Sequence, residues 1–224
     1  HNNYPKQFLE ICKSALNPRG RIFIQTSQAN MVANNEFDTI YHEHLSFFSV
    51  KSFCTLAKRA GLKVIDVKRT PIHGTSFVFV LSNDAQDVDQ SEHFISKEVE
   101  LTVDIMANYA ANASNITQNL KKTIDNFKML GYTVAGFGAA AKGNTLLNFG
   151  EINLDFIVDD NIMKQGLYTP GMHIPIVHPD TIIGQEMLVV VPLAWNFFDE
   201  IKQKVLQRNS TVKFIRYFPE VIVE

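Results

Sequence analysis

The sequence has few cysteines, no long apolar run and almost no net charge. Cys12 and Cys54 are the two cysteines among 224 residues, and no C-x-x-C pair is present to bind zinc or carry redox chemistry. Lys and Arg number 21 against 23 Asp and Glu, a formal charge of -2, which excludes the global positive field of a nucleic-acid or anionic-membrane binder. No apolar run approaches the ~20 residues of a bilayer span. These absences predict a reduced, cytoplasmic setting without a nucleic-acid or membrane partner.

What is present is typical of a globular protein. The chain is 46% hydrophobic and 20% charged, and its length allows one or two domains. It begins with His1 rather than Met and has no basic-then-apolar signal pattern, so we expect processing or truncation. No internal repeat stands out. The order of elements must therefore decide the domain organisation.

The first part of the chain predicts the end of a doubly wound α/β sheet. Ser49 is placed to cap a helix that Gly61 stops, and two β-rich runs then follow as a strand pair. Such a sheet finishes this way if its last strand turns back antiparallel. The predicted elements are a helix over 5–16, a strand over 21–27, a long loop over 28–48, a helix over 50–60 and strands over 62–69 and 75–82.

The rest of the chain predicts a helical segment and then a second α/β unit. Apolar residues advance by threes and fours from about 90 to 130, which fits one long helix or two broken ones. Runs of Val, Ile and Phe then alternate with helices, as in a parallel sheet covered on both faces. The predicted elements are strands over 132–138, 154–160, 186–192 and 212–218, and helices over 139–149 and 194–208.

The motif EFDTIYHEHLSFFS at 36–49 carries the clearest chemistry. Tyr41, His42, Glu43 and His44 follow a predicted strand, where ligands gather in such sheets. An imidazole can take up and return a proton near neutrality, and a nearby carboxylate can stabilise its charged form. The cluster therefore predicts a site that abstracts a proton. Two alternatives remain, a solvated polar loop or two legs of a metal site, although no third ligand is evident.

A second motif, Gly136-x-Gly138-x-x-Ala141, joins a predicted strand to a helix. This is the dinucleotide fingerprint, and Asp159 stands 159 − 138 = 21 residues after Gly138, where a ribose-binding acid belongs. The glycines can equally serve tight packing without any nucleotide. Lys142 and Asn144 suit a phosphate or a nucleotide-linked ligand.

Three further positions are weaker candidates for ligand contact. His173 lies at the exit of a turn region rich in glycine and proline, although a single His with apolar neighbours is more often packed. Asn196 adjoins Trp195 at a strand-to-helix junction, where we expect Trp195 in the core. His73 sits in the turn between the last two strands of the first part.

Taken together, the motifs resemble the S-adenosylmethionine-dependent sugar C-methyltransferase family, whose members methylate a carbon of nucleotide-linked deoxyketosugars. The resemblance spans about Gln25 to Ile201, and the strings occur in the family's order. The matching strings are EFDTIYHEHLSFFS, HGTS, GFGAAAKGNTLLNF, VDDNIMKQGLYTPGMHIPI and LAWNFFDEI.

The resemblance implies a fold and a domain division. Residues 1–88 would be the C-terminal part of a class I methyltransferase sheet, 89–130 a helical linker and 131–224 a Rossmann-like doubly wound domain. The family's zinc cysteines and glycine-rich cofactor loop have no counterpart in this sequence. Zinc would therefore belong only to a missing N-terminal region, the residues that bind S-adenosylmethionine stay unknown, and no metal ligands are expected in this chain.

The resemblance also implies roles for residues. His44 would remove a proton alpha to the ketone of a nucleotide-linked sugar, assisted by Tyr41 and Glu43. Two other functions stay open, an NAD-linked oxidoreductase module and a non-catalytic nucleotide-sugar binding domain. The residues expected to contact substrate are His42, His73, Lys142, Asn144, Asp159, His173 and Asn196.

Overall fold

The computed structural model describes residues 1–27, 30–70 and 76–224. The chain forms two compact α/β units. The first comprises His1–Glu36 and His42–Met106, and the second comprises Phe37–Tyr41 and Ala107–Glu224. A short piece of the EFDTIYHEH motif thus belongs to the second unit, although its flanks belong to the first. The division into 1–88, 89–130 and 131–224 stays a prediction.

The first unit contains an antiparallel sheet. Among the described residues this sheet has the order β1-β3-β2, with β3 antiparallel to both neighbours. Phe79 of β3 pairs with Ile24 on one side and Val67 on the other. The predicted strand that turns back antiparallel is therefore confirmed, and it inserts between its two predecessors. The strands are β1 (Ile22–Thr26), β2 (Lys63–Thr70) and β3 (Ser76–Ser82).

One helix of the first unit shows how the sequence sets its limits. Ser49 Oγ accepts a hydrogen bond of 3.0 Å from the Ser52 amide, and Gly61 has a φ of +71° just after the helix. The ring of Phe53 stacks on that of Phe79 at 3.9 Å, which joins the helix to β3. The helices of this unit are α1 (Pro5–Ser14), α2 (Met31–Asn34), α3 (Val50–Arg59) and α4 (Ser91–Ile95).

The second unit contains a largely parallel sheet. In the part of the chain that the structure describes, its order is β6-β5-β4-β7-β8-β9, parallel throughout except for the last pair. All five residues of β7 are buried, as expected for a strand covered on both faces. The strands are β4 (Thr133–Phe137), β5 (Phe156–Val158), β6 (Ile176–Val177), β7 (Leu188–Pro192), β8 (Lys213–Arg216) and β9 (Ile222–Val223).

Helices precede and cover this sheet. The helical stretch predicted over 90–130 is broken between α4 and α5 (Val103–Met129), and α5 begins in the first unit and continues into the second. The other helices are α6 (Ala141–Phe149) and α7 (Phe198–Leu206). No helix in the described ranges is long and apolar enough to cross a membrane.

Candidate functional site

His44 lies beside the end of β1 in the first unit. Ser27 follows β1 directly, and its carbonyl oxygen accepts a hydrogen bond of 3.2 Å from the Phe48 amide, which returns the loop to the strand. The Ser27 hydroxyl then lies 3.1 Å from His44 Nε2. His44 is half-buried. The loop therefore holds an imidazole at the carboxyl end of a strand, the position at which α/β proteins place ligands and catalytic groups.

The neighbours of His44 are aromatic and titratable. The His1 and Phe47 rings lie 5.0 Å and 5.7 Å from its ring, centroid to centroid. Glu43 Oε2 is 4.0 Å from His1 Nδ1, and both His42 and Glu43 are exposed. The three consecutive residues thus differ, because His44 alone is partly enclosed. The roles of His42 and Glu43 stay predictions.

A second cluster of polar groups surrounds Asp38 in the second unit. Asp38 is 1% exposed and lies in a 3₁₀ turn, Phe37–Thr39. Its Oδ2 accepts a hydrogen bond of 2.8 Å from Trp195 Nε1 and one of 3.0 Å from the hydroxyl of Tyr217. Tyr217 is fully buried. A carboxylate with no access to water is therefore held by two aromatic donors.

Burial and the neighbouring groups act in opposite senses on the Asp38 carboxylate. Burial raises the pKa of Asp38 above its usual value, and the positive charge of Lys142 and the two aromatic donors oppose that rise. The pKa of Tyr217 is raised strongly, first by burial and then by the adjacent carboxylate. Lys142 Nζ also lies 4.9 Å from the centroid of the Trp195 ring. Lys142 thus supplies the countercharge of the cluster.

The glycine turn after β4 is closed by its own chain. A Cβ on Gly136 would lie 2.9 Å from Leu193 Cδ1, so glycine is needed there for packing, and Gly138 has a φ of +94°. Asp159 Oδ2 accepts a hydrogen bond of 2.7 Å from the Ala139 amide, and Lys164 Nζ donates to the same oxygen at 3.4 Å. The Asp159 carboxylate thus accepts the hydrogen bond of a turn amide that a bound phosphate would need.

These contacts bear on the NAD alternative. Asp159 Oδ1 also accepts a hydrogen bond of 2.8 Å from the Asn161 amide, and the residue is 8% exposed. A ribose-binding acid needs a free oxygen facing the ligand. The contacts therefore favour the packing interpretation of the glycine motif, and ligand binding by Asp159 stays a prediction.

The remaining predicted residues lie in different surroundings. Asn144 accepts a hydrogen bond of 3.1 Å from Asn148 Nδ2, and His173 is exposed with a φ of +53°. Asn196 is half-buried in the 3₁₀ turn Trp195–Phe197. The expectation that Trp195 lies in the core is wrong, because its indole is half-buried between Phe218 and Lys142 and needs a polar partner for its N–H. His73 lies outside the described residues.

Sequence reasoning missed three participants in these two clusters. Ser27 ends a strand run and carries no signal of its own. Asp38 lies within the motif that was singled out, and an acid between aromatic and β-branched residues could have marked a buried carboxylate. Tyr217 lies 179 residues further along, so only the fold reveals its contact with Asp38.

Metal and cofactor sites can be tested against the residues present. In the described ranges no group of three or more His, Cys, Asp and Glu could hold a metal ion. The first unit also has no glycine directly after a strand in its described residues, since Gly20 precedes β1 and Gly61 follows α3. These residues therefore do not form the glycine-rich cradle that a class I methyltransferase uses for its methyl donor.

Comparisons with known proteins agree with the fold of both parts. Residues 1–67 match the model of a methyltransferase domain, and residues 71–219 match that of a C-methyltransferase C-terminal domain. The chain therefore belongs to the C-methyltransferase family. It is 33% identical over 217 residues to the C-methyltransferase NovU of Streptomyces niveus. This match covers 92% of the chain but only 51% of that protein.

Proposed function

We propose that the full-length protein transfers a methyl group from S-adenosylmethionine to a carbon alpha to the ketone of a nucleotide-linked sugar. Membership of the family and the likeness to a protein named as a C-methyltransferase support this reaction. The observation that carries the proposal is the half-buried imidazole of His44 at the carboxyl end of β1. An α-carbon becomes nucleophilic only when it loses a proton, so the reaction requires a base at this kind of position.

His44 acts as that base. The proton passes to the imidazole, and its electron pair stays on the substrate as an enolate, the nucleophile that accepts the methyl group. Ser27 orients the ring, because its hydroxyl lies within hydrogen-bond distance of Nε2 and this contact favours one tautomer of the imidazole. A positioned base contributes roughly 10²- to 10⁴-fold, and alignment of the reactants supplies much of the rest.

Other residues have auxiliary roles in this proposal. Tyr41 and Glu43 orient the substrate or the base through hydrogen bonds. Lys142 offers a positive charge for a substrate phosphate, and Asn144, His42, His73, His173 and Asn196 are further substrate contacts. Asp159 acts through the shape of the glycine turn, because its oxygens already accept hydrogen bonds from the backbone.

The methyl donor is bound by a part of the full-length protein outside the residues described above. Phe23 on β1 and Ile11 on α1 are 67% and 61% exposed, an apolar surface that further strands of a methyltransferase sheet would cover. The zinc site that the resemblance implies would also lie outside this chain. Cys54 is buried and its thiol pKa is raised mainly by burial, which makes it a poor metal ligand.

The His44→Asn variant of the full-length protein tests the base. We expect the exchange of the substrate α-proton with solvent deuterium, followed by NMR, to be lost, while affinity for the methyl donor stays the same. His93→Asn is the matched control, because His93 is exposed on α4. Exchange at the wild-type rate in His44→Asn would remove His44 from the base role.

A further inference from the structure

The segment Phe37–Tyr41 is fixed in the second unit by its buried side chains. Phe37, Asp38 and Thr39 are 5%, 1% and 8% exposed, whereas Ile40 is 48% exposed. The Phe37 ring packs on the Phe149 ring at 5.7 Å between centroids. Three consecutive buried residues thus hold a short piece of chain directly before Tyr41.

The polar part of this attachment is made by one carboxylate. Both hydrogen-bond donors of Asp38 come from elements far along the chain, Trp195 from the turn after β7 and Tyr217 from the residue after β8. The Tyr217 hydroxyl also lies within hydrogen-bond distance of the Leu193 carbonyl oxygen, at 3.1 Å, and so has two acceptors. Hydrogen bonds to a charged group are the stronger kind, and removing one partner leaves buried groups unsatisfied. The position of Asp38 is therefore closely determined.

The backbone passes this constraint on to Tyr41. Within the turn, the Ile40 amide donates to the Phe37 carbonyl oxygen and the Tyr41 amide donates to the Thr39 carbonyl oxygen, both at 3.1 Å. Asp38 lies between these two acceptors. A displacement of its side chain therefore moves the peptide units that hold Tyr41.

We propose that Asp38 is a positioning residue that sets the location of Tyr41 through the turn Phe37–Thr39. The inference rests on the proposed function, in which Tyr41 assists the base. Asp38 does not touch the substrate in this scheme. Its hydrogen bonds to Trp195 and Tyr217 fix the backbone from which the Tyr41 side chain extends. A misplacement of about 1 Å at a reacting centre can cost roughly 10²-fold in rate.

Asp38→Asn in the full-length protein provides the first test. We expect kcat to fall by roughly 10²-fold while KM for the methyl donor is unchanged. Asp125→Asn, an exposed carboxylate on α5, should keep the wild-type kcat. The Trp195 indole donates to Asp38, so the tryptophan emission should change in Asp38→Asn but not in the control. An altered spectrum with a wild-type kcat would overturn the proposal.

A double-mutant cycle tests whether Asp38 acts through Tyr41. If it does, adding Asp38→Asn to Tyr41→Phe should lower kcat little further, because the positioned hydroxyl is already absent. Losses that multiply would show that Asp38 acts by another route and would contradict the inference.

A second variant guards against misfolding of Asp38→Asn. Tyr217→Phe removes one donor and keeps the ring, so it should lower kcat in the same sense but less, and Tyr132→Phe is its control. An unchanged kcat in Tyr217→Phe would count against the proposal. The base assignment fails separately, if His44→Asn keeps α-proton exchange. Loss of exchange in His44→Asn together with a wild-type kcat in Asp38→Asn refutes the positioning role alone.

Discussion

The packing interpretation of the glycine motif can be tested with alanine at two glycines. A Cβ on Gly143 of α6 would lie 2.7 Å from Leu193 Cβ, whereas a Cβ on Gly136 of β4 would meet Leu193 Cδ1 at 2.9 Å and two other side chains at 3.0 Å. These clashes differ in kind. A terminal methyl can rotate away, but a Cβ moves only with its backbone.

The magnitudes follow from that difference. Alanine in a helix interior gains about 1 kcal/mol over glycine, and overpacking costs about 1–3 kcal/mol. Because Leu193 Cβ cannot move aside, the overpacking cost of Gly143→Ala should be near the upper limit of about 3 kcal/mol. After the helix gain is subtracted, the second unit should be destabilised by roughly 2 kcal/mol. Gly136→Ala has no helix gain, yet part of its clash can relax, so about 1–2 kcal/mol is expected.

Leu193→Ala separates the two cases. Leu193 is fully buried, and its truncation alone should cost about 2–5 kcal/mol. Leu193→Ala removes the Cδ1 that the new Cβ of Gly136→Ala meets. The double variant should therefore lose less stability than the sum of the two single losses, by about 1 kcal/mol or more. Leu193→Ala keeps Cβ, so the clash of Gly143→Ala should persist and the two effects should add. Urea unfolding followed by Trp195 emission measures the wild type, the three single variants and the two double variants. A Gly143→Ala variant more stable than the wild type would refute the reasoning.

Two further predictions concern buried polar groups of the second unit. Because burial raises the pKa of Asp38 above its ordinary value of 3.8, the folded state binds its proton more tightly, so the stability it contributes is full below 3.8 and is lost as the pH rises through the folded pKa. Urea titrations at several pH values give the free energy of unfolding of the wild type and of Asp38→Asn. The difference, wild type minus variant, should fall as the pH rises from 3.8 through the folded pKa of Asp38. A difference that rises with pH would contradict a raised pKa. Asn209 Nδ2 donates to the carbonyl oxygens of Ile182 and Gln185, so Asn209→Ala should cost roughly 2–4 kcal/mol, against little change for the exposed Asn115→Ala in the same assay. If Asn209→Ala lost no more stability than Asn115→Ala, water would have replaced the hydrogen bonds of Asn209.

Much of the fold follows from local signals. Ser49 and Gly61 mark the ends of α3 because capping and a left-handed residue are properties of a few adjacent positions. The continuous apolar run of β7 predicts a strand buried on both faces. The two-residue strands β6 and β9 were missed, because a segment that short has no measurable period.

The candidate site was predictable only in part. A titratable cluster at 41–44 is visible in the sequence, and His44 does lie at the end of a strand. Contacts of long sequence separation are not visible, so the exposure of Trp195 was predicted wrongly and its bond to Asp38 was missed. The fingerprint after β4 shows the same limit, since the partner of the Ala139 amide is a carboxylate 20 residues away rather than a ligand.

The EFDTIYHEH motif is continuous in sequence but fixed separately at its two ends. Asp38 is held by groups of the second unit, and His44 is held by Ser27 of the first. A base must lie within hydrogen-bond reach of the proton it removes, which a free loop achieves only at an entropic cost that each fixed residue reduces. On the proposed role of Asp38, its two hydrogen bonds reduce that cost for the chain next to Tyr41, so a buried carboxylate without substrate contact would still affect the rate.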